Sequence, residues 1–396
     1  MANICFYFEL HQPYRLAETS VFEIGMGSEY FQKATDELNR KIFQKVARKS
    51  YVPMLTLLVK LVRKHPEFHF TFSTSGVFLE QAQEYAPKVI ELLKKLVASD
   101  QVEVLAETYH HSLAALYSPS EFKLQVTAHQ KLVQELFKVT PKVFRNTELI
   151  YSNDIAQQIE DLGYSACLTE AVERYLHGRE RTQVFTGKTE KKLPLLLKHA
   201  QLSDDVAFRF SDKGWVSYPL TADTYLEWID AYRDDELINL FMDFETFGEH
   251  QWEDTGIFEF YEDFIGKFIK KKIGKFVTPS QVVTELKEET SLQEYDVPEP
   301  ISWADVDRDL TAWVDNALQQ DTIQKLYDLE QQIIDKKNKQ LLDDWRKLQT
   351  SDHFYYMCTK WSADGDVHSY FSPYESPYEA YRRFAIVLAD LQERMI

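Results

Sequence analysis

Four stretches of this sequence bring residues able to move a proton or attack an electrophile to the end of an apolar run. The first, NICFYFEL, holds Glu9 and runs into His11-Gln12-Pro13. The second, QVEVLAE, ends in Glu107, ahead of Tyr109-His110-His111. The third, KVFRNTEL, carries Arg145, Asn146 and Glu148. The fourth, LINLFMD, ends in Asp243 and continues into Phe244-Glu245. An extended segment alternates its side chains between two faces, so Asn146 and Glu148 are expected on one face, as are Asp243 and Glu245. By the same alternation His110 and His111 cannot both face inward, and at least one of them is structural. A single carboxylate at a strand end says little, because polar turn residues and helix caps belong there. Four such endings are harder to assign to capping alone. Two carboxylates without a metal-ligand spacing suit a reaction in which one ionised group attacks and one protonated group donates to a leaving oxygen. Cleavage of a glycosidic bond has that requirement.

These residues must be positioned by the elements that end on them. Short apolar runs alternate with helical patterns as far as about residue 270. Strands are predicted at 3–10, 68–73, 101–107, 142–149, 164–169 and 237–243, with a further one near 206–210. Helices are predicted at 28–65, 81–98, 119–138, 153–162, 221–233 and 256–272. Repeated strand–helix alternation predicts an α/β fold with a parallel sheet covered by helices, and about seven strands predict a barrel. In a barrel of this kind the chemistry lies at the C-terminal ends of several strands, where these residues fall. An open doubly wound sheet is the competing architecture, and no G-x-G-x-x-G follows the first strand. After about residue 275 the strands are expected to stop. Helices are predicted there at 279–289, 303–319, 321–349 and 376–395, with an aromatic-rich stretch at 352–377 that includes Trp361. The division expected is a barrel over 1–272 and a helical bundle over 273–396 packed on it.

Composition narrows the partners. The chain has 396 residues and a formal net charge of −18. Binding to nucleic acid needs a basic footprint, so that charge argues against it and against an anionic membrane surface. A neutral polymer is compatible with it. Aromatic residues make up 14% of the chain, which serves a core of large rings and also suits a sugar cleft. The three cysteines are Cys5, Cys167 and Cys358, an odd number without redox or metal spacing, and a reduced compartment fits them. The opening residues lack a leader pattern, and no stretch has the length and apolarity of a membrane span. The expected location is the cytoplasm, with no cofactor and no metal.

The motifs resemble those of glycoside hydrolase family 57, in its α-amylase and α-amylase-like subgroup. His11-Gln12-Pro13 is similar to the family's first region, and the segment from Val102 to Leu113 to its second. The segment from Phe144 to Tyr151 looks like the third, that from Phe241 to His250 like the fourth, and that from Trp303 to Trp313 like the fifth. The resemblance implies a (β/α)7 barrel followed by helices and a retaining reaction on α-glucans. Glu148 would then be the nucleophile and Asp243 the general acid/base. It further implies a sugar site lined by His11, Gln12, Glu107, His111, Arg145, Glu245, His250, Trp252, Asp309 and Trp313. The third region lacks the tryptophan-rich pattern of the family's transferases and branching enzymes. That favours hydrolysis of α-1,4 bonds in maltooligosaccharides, starch or glycogen, with 4-α-glucanotransferase, branching activity or non-catalytic glucan binding as alternatives. A zinc-dependent deacetylase or mannosidase would call for clustered ligands and a first-strand aspartate, which the first strand does not supply.

Overall fold

The computed structural model describes residues 2–27, 29–31, 37–286, 292–360 and 371–396, so Trp361 lies outside the described residues. The first strand, β1 (Ala2–Leu10), shows how the sequence pattern becomes architecture. Its alternate residues Ile4, Phe6, Phe8 and Leu10 join one apolar cluster, together with Leu55, Leu58, Tyr261 and Phe264 from helices Val52–Lys64 and Ile257–Lys271. The intervening Cys5 and Tyr7 join a second cluster. The period of two therefore serves two buried faces, as a parallel sheet covered by helices requires.

Five strands form the first sheet. β3 (Val102–Val104), β2 (Phe70–Thr74), β1 and β8 (Leu237–Asp243) lie in that order, and β9 (Gly274–Phe276) also pairs with β1. The second sheet runs β10 (Gln293–Tyr295), β6 (Phe185–Gly187), β7 (Pro194–Lys198), β5 (Ala166–Glu170) and β4 (Val143–Arg145). All pairings are parallel except β6 with β7. The second buried face joins the two sheets: Tyr7 and Phe241 from the first meet Val143, Leu168 and Leu196 from the second in one cluster. Backbone contacts also cross between the sheets. Ala106 and Phe144 form a parallel bridge, and the His199 N–H donates to the Asn239 carbonyl at 2.8 Å.

Several expectations are corrected. No strand forms at 206–210, because Ala200–Ala207 is a helix capped by the His199 side chain. The strands of that region are β6 and β7 instead. The helix expected over 81–98 is two, Gly76–Tyr85 and Pro87–Val97. Ala86 has φ −151°, as the residue before a proline is pushed out of the helical region. Strands do not stop at 275: β9 joins Gly274–Phe276 to the first sheet and β10 joins Gln293–Tyr295 to the second, so a boundary at 272/273 does not separate strands from helices. The helix expected over 303–319 is a turn, Thr311–Val314, and the start of Ala317–Asp328. The one expected over 321–349 is divided among Ala317–Asp328, Glu330–Lys336 and Lys339–Leu348. These helices and Pro377–Glu393 share a core with Phe144, Ile155 and Phe185 from the strand region. Among the described residues no helix is long and apolar enough to cross a membrane.

Candidate active site

The inward face of the sheets changes character along its length. Cys5, Tyr7, Leu168, Leu196 and Phe241 are apolar or aromatic. One step further toward the C-terminal ends the residues are Glu9, Arg145, Glu170, Lys198 and Asp243. Strand register brings Glu9 beside Asp243 and Glu170 beside Lys198. Arg145 is fully buried, and its guanidinium makes a two-pronged ion pair with Glu9, with Glu107 3.7 Å away. Removing one partner of such a pair strands a buried charge, at a cost of about 3–5 kcal/mol.

Glu148 does not continue the fourth strand as the period-two reading expects. β4 ends at Arg145, and the chain turns, with Glu148 at φ 57° and Leu149 at φ 51°. Two successive non-glycine residues in the left-handed region are costly and persist only where their surroundings hold them. Here the antiparallel contact of Tyr151 with Ile301 fixes the turn, through hydrogen bonds of 3.0 and 2.9 Å. The turn directs the Glu148 carboxylate at three donors. His111 Nε2 is 3.2 Å from Oε1, Ser351 Oγ is 3.3 Å from Oε1, and Trp303 Nε1 donates to Oε2 at 2.8 Å.

His111 is the cation of this group. Its Nδ1 lies 3.3 Å from Glu9 and 3.5 Å from Glu107. Burial alone would lower its pKa, but Glu9, Glu107 and Glu148 together hold it well above the usual histidine range. Glu148 is the counterpart: burial pushes it up, and the hydrogen bond from His111 with the charges of His111 and Arg145 brings it below the usual value. Asp243 moves the other way. Burial and then the Glu148 charge raise it to about 6. Among the described residues none donates a hydrogen bond to its carboxyl group. The two carboxyls are therefore shifted in opposite directions, and at a pH of about 6 Asp243 is half-protonated while Glu148 is ionised. His110 belongs elsewhere: it is buried, and burial followed by the charges of Arg346 and Lys347 lowers its pKa.

The other expected residues divide. His11 stacks on His111 with ring centroids 4.0 Å apart, and both its nitrogens are engaged, Nδ1 with Ser75 Oγ at 2.6 Å and Nε2 with Asp352 at 2.9 Å. It supports the cation and has no nitrogen left for a sugar. Gln12 donates to Glu245 at 3.4 Å, and Tyr51 donates to the same carboxylate oxygen. Burial and then Asp243 push Glu245 up to about 8. It lies in a helical turn after β8, not in continued strand. His250 meets Phe371, with burial lowering its pKa to about 4. Trp252 is 56% exposed, with Lys49 over its ring. Asp309 caps Thr311 through its backbone and hydroxyl. Trp313 is 1% exposed inside the helical core, which leaves no face for a sugar. The tryptophan beside Glu148 is Trp303.

Glu9, Lys198, Glu170, Trp303, Ser351 and Asp352 complete the cluster and were not among the expected site residues. Glu9, Glu170 and Lys198 carried the same strand-end signal as Asp243. Trp303 stands at the head of the fifth motif, whereas Ser351 and Asp352 carried no signal, since they reach the cluster from a segment distant in the chain. Two triads lie close enough to share a cation among the described residues, His11 with His111 and Asp352, and Glu9 with Glu107 and His111. In both, the potential ligand atoms already bond or ion-pair with protein groups, and a protonated His111 has no lone pair to give a metal.

The family model described as Glycosyl hydrolase family 57 matches residues 5–298. A protein of Methanocaldococcus jannaschii named "Putative alpha-amylase" is 40% identical over 98% of this chain and 84% of its own length. The fold is similar to that of a branching enzyme from Thermococcus kodakaraensis, with TM-score 0.68 and 13% identity over 98% of this chain and 88% of that one. It is also similar to that of the α-amylase AmyC from Thermotoga maritima, with TM-score 0.63 and 14% identity over 100% and 94%. With three-quarters of its length matched by one family model and a relative 40% identical over nearly all of it, the chain belongs to glycosyl hydrolase family 57.

Proposed function

We propose that this glycoside hydrolase cleaves α-1,4-glucosidic bonds of maltooligosaccharides, starch or glycogen with retention, using Glu148 as nucleophile and Asp243 as acid/base on a (β/α)7 barrel. The observation that carries the reading is geometric: Glu148 is held by His111, Ser351 and Trp303 in one buried charged cluster with the strand-end Asp243, and the surroundings shift the two carboxyls in opposite directions. In the first step Asp243 gives its proton to the glycosidic oxygen as the C1–O bond breaks. A Glu148 oxygen bonds to C1, forming a glycosyl-enzyme. Esterified Glu148 no longer repels an ionised Asp243, whose pKa falls. Asp243 then takes a proton from water, the water oxygen attacks C1, and the ester to Glu148 breaks.

The neighbour relations support the barrel reading. The order β1, β2, β3, β4, β5, β7, β8 returns to β1 if the Ala106–Phe144 bridge and the His199–Asn239 hydrogen bond count as seams. The name of the M. jannaschii relative supports an α-glucan substrate. Direct attack at C1 calls for carboxyl oxygens about 5–5.5 Å apart in the substrate complex, against roughly 6.5–9.5 Å for an inverting site.

Maltoheptaose incubated with the enzyme is expected to give only shorter products, with the first-released reducing end in the α configuration by proton NMR before mutarotation. A β product rejects retention, and a ladder with longer products makes the enzyme a transferase. A second expectation concerns metals. Two carboxylates and an imidazolium need no metal, so dialysis against EDTA should leave the rate within about twofold, a span worth less than 1 kcal/mol of barrier. Loss of activity on chelation with recovery on adding zinc would give the histidine–carboxylate triads a metal-binding role.

A further inference from the structure

The residue that touches Glu148 most closely outside the strand ends is Trp303, which lies beyond the segment matched by the family model. It grips Glu148 twice. The indole Nε1–H donates to carboxylate Oε2 at 2.8 Å, and the Trp303 backbone N–H donates to the Glu148 carbonyl at 3.3 Å. The second contact bears on the residue held at positive φ. The chain leading into Trp303 runs antiparallel to the turn at 147–153. The Asn153 N–H donates to the Val297 carbonyl at 2.9 Å, and the Asn153 side chain receives the Val297 N–H at 2.9 Å.

The indole ring is itself held between charges. The Arg145 guanidinium lies 5.0 Å from its centroid and the Lys198 ammonium 5.2 Å. Cations over an aromatic face are attracted to its electron density and draw on it. An indole so polarised is a stronger N–H donor. Lys198 is kept in place by Asp204 at 2.8 Å, and Arg308 donates to both the Trp303 carbonyl and Asp204. The whole assembly is directed at one carboxylate oxygen.

We propose that Trp303 is a positioning residue that fixes the Glu148 carboxylate for attack and keeps it ionised, its indole N–H holding Oε2 while His111 and Ser351 hold Oε1. The inference rests on Glu148 being the nucleophile. A hydrogen bond to an ionised group stabilises that form, and its loss should raise the pH at which the group gains a proton.

The test is Trp303→Phe, which keeps an aromatic ring between the cations and removes the N–H. The kcat should fall about tenfold with KM within about threefold, and the acid limb of kcat/KM should move up by about one pH unit, the size set by one charge-assisted hydrogen bond. A fall in kcat with an unmoved acid limb would mean that Trp303 only packs, and a raised KM with an unmoved limb that it stacks on the sugar; either overturns the proposal. If Trp303→Phe does not fold by circular dichroism, incorporation of 3-benzothienylalanine at 303 replaces N–H by sulfur in the same ring outline, and the same limb shift is expected. Glu148→Gln measured alongside separates the two levels. If that variant stays active, the nucleophile assignment fails; if it is inactive while the limb in Trp303→Phe is unmoved, only the role of Trp303 fails.

Discussion

Glu148→Gln is expected to lose turnover on maltooligosaccharides by on the order of 10⁴-fold or more, the scale seen when a nucleophile is removed from a cooperating set of groups. The amide cannot form the glycosyl bond at C1. Its oxygen can still accept from Trp303 or from His111 and Ser351, but its NH2 must then face a donor, so the carboxylate's pattern of three accepted bonds is not reproduced. Glucan affinity should change little, because Glu148 is one group among many at the cleft. The measurements are single-turnover rates on maltoheptaose and calorimetric titration with the same sugar. Activity within tenfold of wild type would remove Glu148 from the mechanism.

Asp243→Asn should be selective in what it loses. General acid catalysis contributes about 10²–10⁴-fold where the leaving group is a sugar alkoxide. Fluoride departs without a proton, so α-maltosyl fluoride should still glycosylate Glu148 at close to the wild-type rate. The glycosyl-enzyme should then accumulate, since no base activates water in the second step. Mass spectrometry of the intact protein would detect the added sugar. The pH profile supplies a second readout. Asp243 must be protonated, so wild-type activity should fall as pH rises through about 6, while the acid limb follows Glu148, which lies below its usual value. The asparagine variant should lose the limb at about 6 and keep the acid limb. Equal losses on fluoride and glucan, or an unchanged alkaline limb, would reject Asp243 as the acid.

The strand ends were legible because a parallel strand buried on both faces reads as an unbroken apolar run, and a charge at its end interrupts the run. Glu9, Glu107, Arg145 and Asp243 all show that break. The resemblance then selected among them. Local signals failed in two ways. At Pro87 the breaking residue was present within a segment whose apolar spacing is helical on both sides, and the spacing outweighed it. At Glu148 and Leu149 there was no such residue, because a left-handed turn built without glycine or asparagine depends on partners distant in the chain. The choice of tryptophan failed for a related reason. Trp303 and Trp313 are ten positions apart in one motif, and only packing decides that Trp313 enters the helical core and Trp303 reaches the carboxylate. Gln293–Tyr295, a three-residue edge strand with two exposed residues, has too little apolar surface to announce itself.

The contacts around Glu148 also bear on when the chain becomes active as it is made. Glu9 meets Arg145 from 136 positions away, Trp303 meets Glu148 from 155, and Ser351 from 203. A ribosome delivers the N-terminal part first, at about 5–20 residues per second. Glu148 and Asp243 are thus synthesised well before Trp303 and Ser351, and a nascent chain holds both carboxyls while two of the donors to Glu148 are still missing. The left-handed turn at 148–149 is unsupported for that interval and is free to relax to ordinary backbone angles. The setting of the Glu148 carboxylate therefore waits on segments made long after Glu148 itself.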